Sequence, residues 1–272
     1  MLLQMFSKVS HQPSFWPSLM QEASQVDFGE RIPELEPRFV SVWSRHYALI
    51  SEMTKPKSPL LEIGTGYAVL ATGLGKLTGK PILTTEHPSR QYVYQDEYQQ
   101  FLHKYKVRLV LNDLREGLPF SSGSVKTVYA CDVIEHLEND CVLYLLQEIS
   151  RVLSRSGRMI LSTPNLNRLS NAFRFILGYS VNPPFDVEQC GQTYGHIREF
   201  APQELRRLLK RHGLRPCSWK YLTNPYFTRE AFGEENAFSP FVVRTINALT
   251  SFFGLFFPAL RDEMYIVATK RH

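Results

Sequence analysis

The stretch PLLEIGTGYAV, Pro59 to Val69, turns an apolar strand into a glycine-rich loop and puts a carboxylate at the junction. Leu60, Leu61 and Ile63 read as a short buried strand, and Val69 to Leu77 supplies the apolar start of a helix. Between them, Gly64 and Gly66 lack the Cβ that keeps a turning backbone away from a ligand, so Gly64-Thr65-Gly66 can bring main-chain groups against a nucleoside cofactor. About twenty residues further on, a second apolar strand, Pro81 to Thr85, ends at Glu86-His87, where an acid can accept hydrogen bonds from both ribose hydroxyls. The NAD and FAD fingerprint needs a third glycine three residues after the second, and that position is Val69. The loop therefore predicts a nucleoside cofactor that is not a dinucleotide.

Outward from this loop, the chain resembles the class I S-adenosylmethionine-dependent methyltransferases, in their small-molecule branch. Their first motif, acid-x-Gly-x-Gly-x-Gly, stands here as Glu62, Gly64 and Gly66, with Ala68 in the third glycine's place. Val107 to Leu111 then reads as a third strand, followed by Asn112-Asp113-Leu114 and Gly117 to Phe120, where the resembled family holds adenine. Val125 to Ala130 reads as a fourth strand delivering Cys131-Asp132-Val133-Ile134-Glu135-His136-Leu137, similar to the segment flanking the methionine moiety. Asp140 to Leu153 has helical periodicity, Gly157 breaks it, and Arg158 to Ser162 reads as a fifth strand ending at Thr163-Pro164-Asn165. His196 to Phe200, with Pro202 and Glu204 opening a helix, is similar to a segment frequent in the small-molecule branch.

This resemblance implies S-adenosylmethionine as the cofactor, held by Glu62, Gly64, Thr65, Gly66, Glu86, His87, Asp113, Leu114, Cys131 and Asp132. It places Glu62 toward the methionine amino group and Asp113 at the adenine. The alternation of strands and helices implies an α/β, doubly wound, Rossmann-like sheet that binds ligands outside the carboxyl ends of its strands. The resemblance adds that the sheet has seven strands, the last two being Leu214 to Tyr221 and Met264 to Thr269, with the final strand antiparallel.

A chain of 272 residues with 43% hydrophobic and 21% charged residues suits one domain with additions, here a methyltransferase domain over 1–272. Residues 1–55, with Phe15, Trp16, Phe39, Trp43 and Tyr47 amid helical stretches, read as a helical cap over the cofactor, and 56–165 as the cofactor-binding core. Residues 166–195 form a substrate-side insert, and 222–262 an apolar insert between the last two strands. Within the latter, Thr245 to Leu260 is too short to span a bilayer, which needs about twenty apolar residues. It reads first as a buried or substrate-covering helix and second as an interfacial one.

The charge of +5 and pI of about 9.0 are modest. The densest basic stretch, Arg206-Arg207, Lys210-Arg211 and Arg215, is interleaved with Leu205, Leu208 and Leu209 and reads as a solvated helix face. Asn182-Pro183-Pro184-Phe185 resembles the adenine-holding motif of amino-methyltransferases, but it follows the fifth strand where theirs closes the fourth, so nucleic acid is disfavoured. Cys131, Cys141, Cys190 and Cys217 lack paired metal spacing, and the N-terminus lacks a signal-peptide pattern. No metal site, reduced thiols and a cytoplasmic location with at most peripheral membrane contact are expected.

Methyl transfer from a sulfonium is downhill, so the protein has to align the reactants and, for an oxygen acceptor, remove a proton. His136 and His196 are the catalytic candidates, since imidazole exchanges protons near neutral pH and both lie in loops predicted to face the sulfonium edge. The reading is methyl transfer to a small or lipid-like acceptor at oxygen, nitrogen or carbon. Its alternatives are a catalytically silent domain that binds a partner or membrane, and a nucleic-acid methyltransferase. These residues specify neither the acceptor nor the oligomeric state.

Overall fold

The computed structural model describes residues 14–28, 35–37, 39–53, 56–181, 188–189, 192–193, 196–224 and 239–271. The apolar runs form a mixed seven-stranded sheet in the order β3-β2-β1-β4-β5-β9-β8. Its strands are β1 Leu60–Ile63, β2 Ile82–Glu86, β3 Val107–Leu111, β4 Val125–Cys131, β5 Leu153–Pro164, β8 Leu214–Leu222 and β9 Glu263–Lys270. β1 to β5 are parallel, and β9 lies antiparallel between β5 and β8. A separate hairpin, β6 Glu188–Gln189 and β7 Gln192–Thr193, lies in the insert after β5. The Asn182-Pro183-Pro184-Phe185 motif and Cys190 fall outside the described residues.

β1 is buried at every position because helices cover both faces of a parallel sheet. Side-chain alternation then sorts the core. Leu60, Ile82, Tyr129, Ile160 and Tyr265 face one layer, while Leu61, Ile63, Val128, Met159 and Ile266 face the other. The first layer holds α1 Phe15–Ala23, α2 Val40–Met53, α3 Val69–Thr78 and α4 Asp96–Lys104; the second holds α5 Asn139–Val152 and α7 Pro202–Arg211. From β1 the chain winds outward to β3 and returns to pair β4 on the other side of β1. That reversal opens a crevice beyond the carboxyl ends of β1 and β4, which is where an open α/β sheet binds ligands.

Three elements depart from the sequence pattern. β5 starts at Leu153, so Gly157 lies inside the strand; a register shift between Val125 and Thr127 absorbs the extra residues of β5. α1 lies on α3, where a Cβ on Gly73 would stand 2.2 Å from the Trp16 ring, so this helix covers the outside of α3. Of the described N-terminal residues, Phe28 and His46 reach the active edge: the Phe28 ring packs on Tyr67 and Tyr98 beside the glycine loop, and His46 meets Asp132. The third departure is the apolar run Thr245 to Leu260, which is not buried. It lies mostly in α8 Pro240–Phe256, where the buried residues among those described are the narrow stripe Ile246, Thr250 and Gly254. α8 packs on α6 Leu169–Ile176 through Ile246 and Phe173.

Helix propensity and packing make opposite predictions at Gly75 in α3. Propensity favours alanine by about 1 kcal/mol, but a Cβ there would stand 2.1 Å from the Tyr105 carbonyl oxygen. We expect packing to win and Gly75→Ala to destabilise the fold by about 1–3 kcal/mol. The signature is a lower urea midpoint at unchanged slope, and a midpoint at or above that of the unsubstituted protein refutes it.

Candidate active site

The loop after β1 is built for close approach. Gly64 has φ +68°, and a Cβ there would stand 2.9 Å from Val133 Cγ2. Gly66 has φ +50° and open space where its Cβ would be. Ala68 keeps φ 60°, so the motif's third position has lost its glycine but retained the left-handed backbone. Alanine bears this at roughly 1–2 kcal/mol. Three bonds tie the loop down: Thr65 N–H donates to the Thr85 carbonyl at 2.9 Å, Gly66 N–H to Glu86 Oε2 at 2.7 Å, and the Tyr98 hydroxyl to the Gly66 carbonyl at 2.8 Å. Glu86 Oε1 accepts from His87 N–H at 2.8 Å. Each carboxylate oxygen still has a lone pair for a ligand hydroxyl.

Glu62 lies beneath this loop, 4% exposed, accepting from Thr65 Oγ1 at 2.8 Å and Thr84 Oγ1 at 3.2 Å. Burial, reinforced by the Glu86 charge, pushes its carboxyl up to about 8 although the two threonine hydroxyls oppose the shift. Asp113 follows β3 and caps the turn Leu114–Glu116 by accepting from Arg115 N–H at 2.9 Å. The Arg115 guanidinium holds its carboxyl well below the usual range, and His87 Nε2 stands 3.5 Å away. The structure thus brings Glu86, His87 and Asp113 together beside the glycine loop.

At the end of β4, Asp132 adopts φ 53° and accepts from Ser162 Oγ at 2.9 Å. Buried His46, from α2, sits between carboxylates: Nε2 lies 3.2 Å from Asp132 Oδ2, and Nδ1 lies 3.3 Å from Glu263 Oε2 and 2.8 Å from the Tyr265 hydroxyl. Burial opposes the imidazolium, but Asp132 and Glu263 outweigh it and raise His46 above its ordinary value. Asn224 Nδ2 completes the network by donating to Glu263 Oε1 at 2.7 Å. Cys131 precedes Asp132, and burial pushes its thiol up.

A second polar cluster follows. His136 ends a short turn, Ile134–His136, three residues before α5 begins, and does not open that helix. Arg198 N–H donates to the Glu135 carbonyl at 3.1 Å, which draws the His196 segment onto this turn. The rings of His136 and His196 meet edge to face with centroids 5.0 Å apart. Buried Glu135 accepts from Thr163 Oγ1 at 3.0 Å and, mainly through desolvation, is pushed up to about 8. His196 Nδ1 stands 3.4 Å from Glu199 Oε1, and Glu199 pairs with buried Arg168 and accepts from Asn171 Nδ2 at 3.2 Å.

A family profile described as a methyltransferase domain matches residues 36–218, which include every strand and loop of this edge up to β8. The chain belongs to this methyltransferase family. The sheet order with its antiparallel final strand is that of class I S-adenosylmethionine-dependent methyltransferases, and solved structures agree at the level of fold. Geranyl diphosphate C-methyltransferase from Streptomyces coelicolor A3(2), solved with Mg2+, geranyl diphosphate and S-adenosyl-L-homocysteine, is 14% identical at a TM-score of 0.57, covering 90% of this chain and 88% of that one. A SAM-dependent methyltransferase from Archaeoglobus fulgidus is 18% identical at 0.54, covering 86% and 97%. The [4+2]-cyclase SpnF is 14% identical at 0.57, covering 96% and 95%. No curated protein matches the chain.

In this methyltransferase the sequence pattern missed His46 and Glu263, which stand 217 positions apart. The available signal was a histidine between Trp43 and Tyr47 on an aromatic helix. Glu62 carries a pH signature. Its folded-state value of about 8 exceeds the ordinary 4.5, so the fold binds the extra proton and its stability falls as pH rises from about 4.5 through 8. Glu62→Gln should flatten that decline, whose limiting slope is about 1.4 kcal/mol per pH unit. Urea denaturation across this window checks it; identical pH profiles for the two proteins count against a buried, protonated Glu62.

Proposed function

We propose that this S-adenosylmethionine-dependent methyltransferase transfers its methyl group to a small, lipid-like acceptor that arrives beside the lobe made by α6 and α8. The observation that carries this reading is an apolar surface left open next to the active edge. Phe175 and Ile176 on α6 are each 76% exposed, and Leu255 and Phe256 on α8 are 68% and 66% exposed. Asn165, directly after β5, donates through Nδ2 to the carbonyls of Ala259 at 2.8 Å and Arg261 at 2.7 Å, pinning the end of α8 to the active edge. Exposed aromatic side chains grouped this way mark a contact with an apolar ligand or a bilayer surface. Among the described residues no helix is long and apolar enough to cross a membrane, so peripheral contact is the form proposed.

The residues fit the cofactor. Gly66 leaves open space where a side chain would stand, Glu86 keeps lone pairs beside it, and among the described residues buried Glu62 has hydroxyl partners but no cation bonded to it. In this reading Glu86 and His87 hold the ribose, Asp113 and Leu114 the adenine, Glu62 and Thr65 the methionine end, and Cys131 and Asp132 border the sulfonium. When bound, the cofactor supplies an electrophilic methyl group. The chain's part is to align the acceptor against it and to handle the acceptor's proton through His136 and His196.

Labelled S-adenosylmethionine, incubated with the full chain, fractionated cell extract and vesicles, should pass label to an organic-soluble fraction. Phe252→Ser with Phe256→Ser should cut that transfer at least tenfold while leaving S-adenosylhomocysteine affinity within about threefold, because the two phenylalanines lie outside the cofactor loops. Label in nucleic acid would overturn the acceptor class. Binding with no label in any fraction would favour a silent, partner-binding domain. Glu86→Ala should weaken S-adenosylhomocysteine binding at least tenfold by calorimetry, given about 1.5–3 kcal/mol for each bond to a charged acceptor; unchanged affinity removes Glu86 from the site.

A further inference from the structure

Glu135, His136 and His196 bring one carboxylate oxygen and two imidazole nitrogens within 4.8 Å of one another. The cluster is graded in exposure: Glu135 is buried, His196 half-buried and His136 exposed, so one side opens to solvent at the active edge. Two observations suggest that it serves more than packing. Among the described residues Glu135 Oε1, which is buried, accepts no hydrogen bond, although its sister oxygen is satisfied by Thr163. A buried carboxylate oxygen without a donor calls for a cation or a proton. The second is Glu199, which faces His196 Nδ1 and is itself clamped by Arg168 and Asn171. A carboxylate fixed behind an imidazole sets the ring's orientation, as at imidazole ligands of metals.

We propose that Glu135, His136 and His196 hold a divalent first-row transition cation on the acceptor side of the active edge. A set of two nitrogens and one oxygen suits Zn2+, Co2+ or Fe2+ better than Mg2+ or Ca2+, which favour oxygen ligands alone. Ligand bonds of about 2.0–2.2 Å place donor atoms about 3.4 Å apart, a spacing that falls inside the 4.8 Å that encloses this cluster. Three protein ligands leave coordination positions open, and the acceptor's oxygen takes one of them.

The site rests on geometry alone; its use rests on the methyltransferase reading above. For a hydroxyl acceptor, cation binding acidifies the O–H and its proton leaves to solvent. An oxygen lone pair then forms the new C–O bond to the methyl carbon, and the C–S bond breaks with its electron pair left on sulfur. As ligands, the two imidazoles handle the acceptor's proton through the cation without taking it themselves.

The test is titration of the chelator-stripped full chain with Co2+, followed by visible d–d absorption. One equivalent should bind and give a band. His136→Ala and His196→Ala should each abolish it, and Glu199→Gln should weaken binding about 10- to 100-fold. Each variant is checked for S-adenosylhomocysteine binding, so that loss of the band is separated from loss of the fold; His136 is exposed and its removal leaves the core untouched. No band, or a band unchanged in both histidine variants, overturns the site. A normal band with label transfer unaffected by chelation overturns the catalytic use and leaves the methyltransferase reading standing. A normal band and cofactor binding without label in any fraction would uphold the site while the proposed function fails.

Discussion

A charge-assisted hydrogen bond of 2.7 Å from the Gly66 amide to Glu86 Oε2 joins the loop after β1 to the end of β2. The rest of the active edge is arranged around that bond. It holds the glycine backbone in a left-handed conformation that only a small residue enters cheaply. It also turns Glu86 so that its remaining lone pairs face the crevice where the sheet changes winding direction. Asn112 N–H donates to the Glu86 carbonyl at 2.9 Å, so the same residue couples the start of the Asp113 turn to β2. A side chain able to bind ligand therefore first serves as the brace for two neighbouring loops. This explains why an acid belongs there even before any hydroxyl arrives.

Carboxylates dominate this edge. Glu62, Glu135, Glu199, Asp262 and Glu263 are all buried, and the buried cations facing them are His46 and Arg168. Burial and mutual repulsion push Glu62 and Glu135 up to about 8 and Asp262 up to about 7, whereas Glu199, beside Arg168, falls to about 2 despite its burial. Direct pairing with a fixed cation thus decides which acids stay ionised. An edge with surplus acid favours a cationic guest over a neutral one. For a sulfonium donor that becomes a thioether, this preference helps binding before transfer and release afterwards.

The glycine loop and the parallel strands were legible in the sequence because their signals are local. Leu60, Leu61 and Ile63 make a short apolar strand around Glu62, the Glu62-x-Gly64-x-Gly66 motif follows from it directly, and Glu86 ends its own strand. The pairings that complete the edge are not local. His46 meets Glu263 across 217 positions, and Arg168 meets Glu199 across 31, through chain reversals that no spacing rule encodes. Asp132, Glu135, His136 and His196 could be named one by one; their mutual distances follow from the Arg198 to Glu135 backbone bond, a property of the fold. Gly157 looks like a helix breaker and sets the expected start of β5 at Arg158, whereas the helix ends at Val152 and the strand follows at once.

The apolar lobe shows a different limit. By composition Thr245 to Leu260 resembles core, and its exposure is decided only by what packs on it. α6 offers α8 a short face, enough to cover Ile246 and little more, so Phe252, Leu255 and Phe256 remain outside. Uncovered apolar area costs about 25 cal/mol per Å2 relative to burial. Several aromatic side chains therefore represent a standing drive toward an apolar contact. The anchors bear on where that contact forms. Arg261 Nε donates to the Gly254 carbonyl at 2.9 Å and Asn165 holds the following turn, so the lobe is fastened to the carboxyl ends of β5 and β9's neighbour strand β8 and not to the opposite edge. Whatever covers the lobe therefore stands beside the carboxyl ends of the strands, next to the active edge.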